Sequence, residues 1–280
     1  MKNKLRVTTI TYTRIILKTL NKVLLNLNDC LYFLIIFVET VFLNFKNENN
    51  KFKIITASDS SHFNSLCQLL DSLINFCSSD HLVLYDLGLT NNETLHLVNN
   101  YPSVKILKFK FDNYPKHVSL KERDAGAYAW KPIIIFEELQ KDNLPTIWMD
   151  AGNLVFKNLK YLKKYIYKKK FYSPYSSGHI QKWTHPDTIT SLNLPDKFLK
   201  KRNLNAAIIG VNFDEEIYDL MESWRNLALK KEIIIPDGSS KSNHRHDQSL
   251  LTILYYIRIN YFLKIKTYKL WGVDIQQDID

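Results

Sequence analysis

Glycine and cysteine are both scarce in this chain of 280 residues, with 7 and 3 respectively. Cys30, Cys67 and Cys77 are odd in number and lack Cys-x-x-Cys spacing, which excludes a disulfide framework and a zinc knuckle. They read as free thiols, with Cys67 and Cys77 on different faces of one helix. Neither Gly-x-Gly-x-x-Gly nor Gly-x-x-x-x-Gly-Lys-Ser/Thr occurs, so a dinucleotide fold and a P-loop nucleotidase are not expected. Arginine is rare as well, 7 of 38 basic residues, and acids number only 28, leaving a formal charge of +10. That balance suits an anionic partner, although a lysine- and asparagine-rich coding bias produces the same excess. Nucleic acid is not the expected partner, because no recognition motif and no exposed aromatic interleaving accompany the lysines.

What is present is an ordinary globular composition, 45% hydrophobic and 24% charged, with 13% aromatics. The first fifty residues stand apart. Basic residues without an acid fill positions 1–22, and the apolar run Cys30 to Phe45 follows, interrupted by Glu39, Thr40 and Asn44. As a helix it spans about 24 Å, against about 30 Å for a bilayer core. Two readings stay open: a single-pass anchor, or an amphipathic helix packed on the body or lying on a membrane surface. An anchor would leave the N-terminus in the cytoplasm and, in a eukaryotic cell, the body in the Golgi lumen. Asn92-Glu93-Thr94, a glycosylation sequon, is compatible with that placement. The polar segment 47–53 divides this region (1–50) from a body of residues 51–280.

In the body, short apolar strands alternate with helical periodicity. Strands are expected at Lys53–Ala57, His81–Leu87, Val104–Phe111, Pro145–Met149 and Asn205–Asn212, with a late one at Tyr261–Tyr268. Helices are expected at about His62–Phe76, Tyr128–Gln140, Asp214–Lys231 and Gln248–Ile259. Between Lys157 and Lys170, Leu159, Leu162, Tyr165 and Ile166 form one stripe of a lysine-rich amphipathic helix. The rhythm predicts an α/β fold with a doubly wound, mostly parallel sheet and ligands at the carboxyl ends of its strands.

Four polar clusters are placed to line such a rim. Ser58 and Asp59 follow the first strand, where they suit a base and ribose or a simple helix cap. Arg123, Asp124 and Lys131 surround Gly126 and two aromatics, and the two cations suit a diphosphate. Asp150 and Asn153 end the central strand in Trp148-Met149-Asp150-Ala151-Gly152-Asn153. Hard oxygens there suit Mg²⁺ or Mn²⁺ bridging to phosphate, and the same residues make good turn chemistry. His244, Arg245, His246, Asp247 and Gln248 form a polar run before an apolar helix, where they suit a hydroxylated ligand or acid–base work.

Together these clusters resemble the GT-A glycosyltransferases, in particular glycosyltransferase family eight. Ile147-Trp148-Met149-Asp150 resembles that family's Leu-Asp-x-Asp strand end. Leu204-Asn205-Ala206-Ala207-Ile208-Ile209-Gly210 resembles its Phe-Asn-x-Gly strand, and Asp247-Gln248-Ser249-Leu250-Leu251 its Asp-Gln helix start. The stretch from Ala125 to Asn153 is also similar to a set of uncharacterised GT-A-like proteins. The resemblance spans roughly residues 52–260. It implies a glycosyltransferase that uses a nucleotide-diphosphate sugar and an unidentified glycan, lipid or protein acceptor. Asp150 would hold the metal or diphosphate, with Asn153 as an additional oxygen. Asn205 and Gln248 would contact the donor sugar, and Asp247 or His246 would be the base if the reaction inverts. The sequence departs from the family in two places. Gly152 stands where the second acid of Asp-x-Asp belongs, and no histidine follows His246, so the expected hold on Mn²⁺ or Mg²⁺ is weakened. A non-catalytic nucleotide-sugar or carbohydrate binder on the same fold is the alternative that Gly152 suggests.

Overall fold

The computed structural model describes residues 51–259 and 271–280, together with Leu34. The apolar run 30–45 and the late strand expected at 261–268 lie outside the described residues, Leu34 apart. No helix among the described residues is long and apolar enough to cross a membrane.

Strands β1 (Lys53–Asp59), β2 (His81–Gly88) and β3 (Val104–Lys108) alternate with helices α1 (Phe63–Cys77) and α2 (Asn91–Asn100). Ile54, Ile55 and Thr56 give β1 a β-branched centre, and its residues are buried on both faces, as a central parallel strand requires. In α1, Leu66, Leu69, Leu70, Leu73 and Cys77 recur at helical spacing and are all buried. Helix α2 was not evident from its polar sequence. A capping box between Thr90 and Glu93 starts it, and Leu97 is its buried anchor.

Helix α3 (Trp130–Lys141) leads into β4 (Thr146–Met149), which is followed by β5 (Leu154–Val155) and the lysine-rich α4 (Lys160–Lys169). The expected stripe of α4 is buried at Leu159, Leu162, Tyr165 and Ile166. Short strands β6 (Phe171–Tyr172), β7 (Tyr175–His179) and β8 (Arg202–Leu204) precede β9 (Ile208–Val211). Helices α5 (Glu215–Ala228) and α6 (Asp247–Arg258) and the short β10 (Val273–Asp274) complete the body. Asp214 caps α5 by accepting from the Glu216 N–H.

The main sheet runs in the order β3-β2-β1-β4-β9-β6. Pairs β1–β2, β2–β3 and β1–β4 are parallel, and only β9 runs against its neighbours β4 and β6. The chain winds from β1 outward to β3 and then returns to place β4 on the other side of β1. The strand order therefore switches between β1 and β4, where doubly wound sheets open a crevice. Reversing β9 brings its entry to the same rim: Met149 faces Ile208, and the Asp150 N–H donates to the Ala207 carbonyl at 2.9 Å.

Several expected boundaries move; the strand expected at Asn205–Asn212 is confined to Ile208–Val211. The third strand stops at Lys108 rather than Phe111, because residues Phe111–Asn113 turn into a 3₁₀ helix. Helix α3 begins at Trp130 rather than Tyr128. Before it, Asp124, Ala125, Gly126, Ala127 and Tyr128 all take positive φ, between 53° and 67°. Such a run is costly for residues with a Cβ. It is held by Trp130 Nε1 donating to the Ala125 carbonyl at 3.1 Å and by Lys241 Nζ donating to the Tyr128 hydroxyl at 2.8 Å. Glycine is obligatory within it, since a Cβ on Gly126 would lie 2.2 Å from the Val118 carbonyl oxygen.

Candidate active site

A cleft of about 420 Å³ opens at the carboxyl ends of β1 and β4. Ser58 and Asp59 form its wall on the β1 side, and Asp150 and Asn153 on the β4 side. The entry to β9 contributes Asn205, and the start of α6 contributes Arg245, His246, Asp247 and Gln248. All four clusters thus send residues to one place, but Arg123, Asp124 and His244 are not part of the lining.

Lys131 organises the centre. Its ammonium is almost fully buried and lies 2.9 Å from Asp150 Oδ1, 3.4 Å from Asp247 Oδ2 and 3.2 Å from the Ala206 carbonyl. Burial opposes its charge, but Asp150 and then Asp247 outweigh burial and raise its pKa. The expected free cation for a diphosphate is therefore an internal tie that joins β4, β9 and α6. Asp150 Oδ1 also accepts from Trp148 Nε1 at 2.7 Å, which fixes the carboxylate at the strand end.

Asp247 opens α6 and is 4% exposed. Burial pushes its pKa up to about 6; Lys131 pulls it down, and Asp150 pushes it up. Its Oδ2 has no hydrogen bond within the described residues, the Lys131 contact being an ion pair without hydrogen-bond geometry. Asp247 is thus the buried partner of Lys131 at the start of α6, where that helix meets the cleft. Gln248 Oε1 accepts from the Ala206 N–H at 3.3 Å, and Asn205 Oδ1 accepts from the Ala207 N–H at 2.8 Å. Gln248 ties the entry of β9 to α6, and Asn205 folds that entry back on itself.

The two histidines are placed differently: His246 lines the cleft and His244 does not. His244 is fully buried: its Nδ1 accepts from the His185 N–H at 3.1 Å, and its Nε2 donates to the Ile234 carbonyl at 3.0 Å. Burial lowers its pKa to about 3, so it stays neutral and structural. His246 donates from Nδ1 to the same carbonyl at 3.2 Å and turns Nε2 to Asp124 Oδ2 at 3.1 Å. Burial pushes its pKa down and the Asp124 carboxylate pushes it back up. Both ring nitrogens are thus engaged by protein groups, which ties the start of α6 to the 123–128 segment.

Arg123 is also committed to the fold, its guanidinium donating to the Pro236 carbonyl at 3.3 Å and to Ser239 Oγ at 3.0 Å. Arg245 stays at the lining with its guanidinium 4.2 Å above the Trp183 ring. Asp59 accepts from the Ser61 N–H at 3.0 Å, the capping role weighed for it, while remaining at the cleft wall. Sequence reasoning missed Gln276 and Asp278, which reach the cleft from beyond β10.

Residues 18–136 match a family described only as a protein of unknown function, DUF1647. No curated protein matches the chain. Among solved structures, the bifunctional glycosyltransferase WbbM aligns over 79% of this chain with a TM-score of 0.51 at 14% identity. The fold is that of a GT-A glycosyltransferase. The chain spans 40% of WbbM. The mannosyltransferase Ktr4p from S. cerevisiae (TM-score 0.49, 10% identity, 73% of this chain and 65% of that one) is also similar. So is the galactosyltransferase LgtC (0.46, 13%, 72% and 70%).

GT-A glycosyltransferases often use a divalent cation. Among the described residues no three His, Cys, Asp or Glu side chains converge into a metal cage. Smaller provision does exist in this GT-A domain. Asn153 is fully buried at the cleft wall, and its Nδ2 donates to the Ala207 carbonyl at 2.7 Å, which leaves Oδ1 without a partner. Asp150 Oδ2 likewise accepts no hydrogen bond from the described residues. An oxygen pair of this kind fits a hard cation whose remaining ligands are phosphate and water, the usual way Mg²⁺ is held.

Proposed function

We propose that the chain transfers a sugar from a nucleotide-diphosphate donor to an acceptor hydroxyl in this cleft. The observation that carries the reading is Lys131, which couples Asp150 at the end of β4 to Asp247 at the start of α6 inside a cleft on a GT-A fold. Asp150 and Asn153 face the diphosphate side. A bound Mn²⁺ or Mg²⁺ would supply positive charge to the departing diphosphate. Asn205 and Gln248 orient the donor sugar. Where the anomeric centre inverts, Asp247 is the candidate base. Arg245 at the lining offers the one arginine fork to an anionic ligand.

A second reading, a nucleotide-sugar binder without turnover, is favoured by Gly152 alone. One experiment separates the two: nucleotide release from a panel of nucleotide sugars, with and without Mn²⁺, compared with Asp150→Asn. Transfer predicts release by the wild type and a loss of at least about 100-fold in the variant, the scale for removing one preorganised electrostatic partner. Donor binding without release in any member of the panel would establish the binder instead.

A further inference from the structure

The segment beyond β10 is pinned across the Asp150 turn. Strand β10 pairs with β5, the Gln277 N–H donates to the Gly152 carbonyl at 2.7 Å, and Gln68 Nε2 donates to the Gln277 carbonyl at 2.9 Å. On the far side, the Ile279 N–H donates to Ser65 Oγ at 2.9 Å, and Asp280 accepts from the Asn64 N–H at 2.8 Å. Asp278 lies between these ties, so an exposed side chain is carried on a backbone fixed at both ends. Its carboxylate lies against Gly152: a Cβ built there would be 2.3 Å from Oδ1 and 2.6 Å from Cγ and Oδ2. Gly152 is not among the glycines with positive φ, so its backbone does not call for glycine; a side chain there would displace the Asp278 carboxylate from its present position. The space that a side chain at position 152 would fill is taken by a carboxylate from the other end of the domain. In the same cleft lining, the buried Asn153 Oδ1 has no partner within the described residues.

We propose that Asp278 supplies the second carboxylate of a divalent-cation site, with Asp150 and the Asn153 amide oxygen as its companions. The acid missing from the turn is restored in space by the C-terminal segment, and Gly152 is the vacancy that admits it. Two carboxylates and one amide are fewer than a closed cage, so phosphate and water oxygens complete the shell. The inference rests on the glycosyltransferase reading only for its choice of cation. The choice of residues rests on their common place in the cleft lining and on the contact of Asp278 with Gly152.

The test is direct Mn²⁺ binding by the full chain, followed as loss of the free-ion EPR signal, with Mn²⁺ alone and with UDP added. Asp278→Asn and Asp150→Asn should each weaken binding about tenfold or more, the scale of losing one ligand-shell group. The double variant Gly152→Asp with Asp278→Gly returns the carboxylate to the turn and opens the space it needs. It should recover affinity to within about threefold of the wild type on the same scale. Unchanged Mn²⁺ affinity in Asp278→Asn, or no Mn²⁺ binding by the wild type in either condition, overturns the proposal whatever the donor panel shows. Asp278-dependent Mn²⁺ binding without nucleotide release from any donor would leave this site standing and remove the transferase reading.

Discussion

Replacing Lys131 by Met would break the central ion cluster while keeping the length and apolar character of the side chain. In the wild type, Asp247 has a folded pKa of about 6, above the usual carboxylate value of 3.8. Its contribution to stability is therefore full below about pH 4 and is lost as pH rises through about 6. A displacement of that size corresponds to about 3 kcal/mol. Lys131 works the other way across this range, since its raised pKa keeps its own contribution intact well beyond neutrality. Without Lys131, burial and the Asp150 charge still act on Asp247, and the influence that lowers its pKa is gone. The variant at about pH 8 must then either bury an unpaired carboxylate or take up a proton, at a cost of about 3–5 kcal/mol. At about pH 5 Asp247 is largely protonated in both proteins, and the cost falls to the lost Ala206 hydrogen bond and the half-solvated Asp150 pair, about 1–2 kcal/mol. Urea unfolding at the two pH values, followed by tryptophan fluorescence, should show a penalty larger at the higher pH by about 2 kcal/mol. An equal penalty at both, or none at pH 8, would refute the coupling of Asp247 to Lys131.

Gln248→Ala should lower nucleotide release by about 100-fold while leaving donor-nucleotide affinity within about threefold, because a sugar that loses its orientation loses near-attack geometry and the diphosphate contacts lie elsewhere. A parallel loss of donor-nucleotide affinity would instead indicate collapse of the segment 205–207 that Gln248 holds. Gly210→Ala should destabilise the domain by about 1–3 kcal/mol through overpacking. A Cβ on this central β9 residue would stand 2.3 Å from Ile166 Cδ1 on α4, and thermal unfolding measures the loss. An unchanged melting temperature would mean that α4 shifts freely on the sheet.

The elements legible in the sequence are those with enough buried apolar residues to show a pattern. Helices α1, α5 and α6 carry a buried stripe at helical spacing, and strands β1, β2, β4 and β9 are short apolar runs buried on both faces. Helix α2 was illegible because a capping box and one leucine do the work that a stripe does elsewhere. Strands of two residues, such as β5 and β10, carry no period at all. At the site, acids and amides that follow strands were legible because doubly wound sheets place strand ends together. The roles of Arg123 and His244 were not, since nothing in a polar run distinguishes a side chain that faces the cleft from one that satisfies a neighbouring carbonyl. Lys131 looked like a free cation because its two carboxylate partners meet it only in the folded sheet. Asp278 gave no signal: its placement depends on a missing Cβ at Gly152, a fact of packing between distant segments.

The reversed strand β9 also sets the order in which the molecule can be completed. Strands β1 to β3 pair with near neighbours in sequence and β4 then joins β1 from farther along, so a chain made from its N-terminus can assemble these four first. Until residues 208–211 arrive, β4 is an open edge, with the hydrogen-bonding groups of a Thr-Ile-Trp-Met strand, wholly buried in the finished domain, exposed beside Asp150. Over that interval the nascent domain carries a sticky, half-built rim and no complete reaction centre. Its yield in a cell is then governed by how fast β9 and α6 dock, and slowing translation across residues 150–207 should favour aggregation over activity.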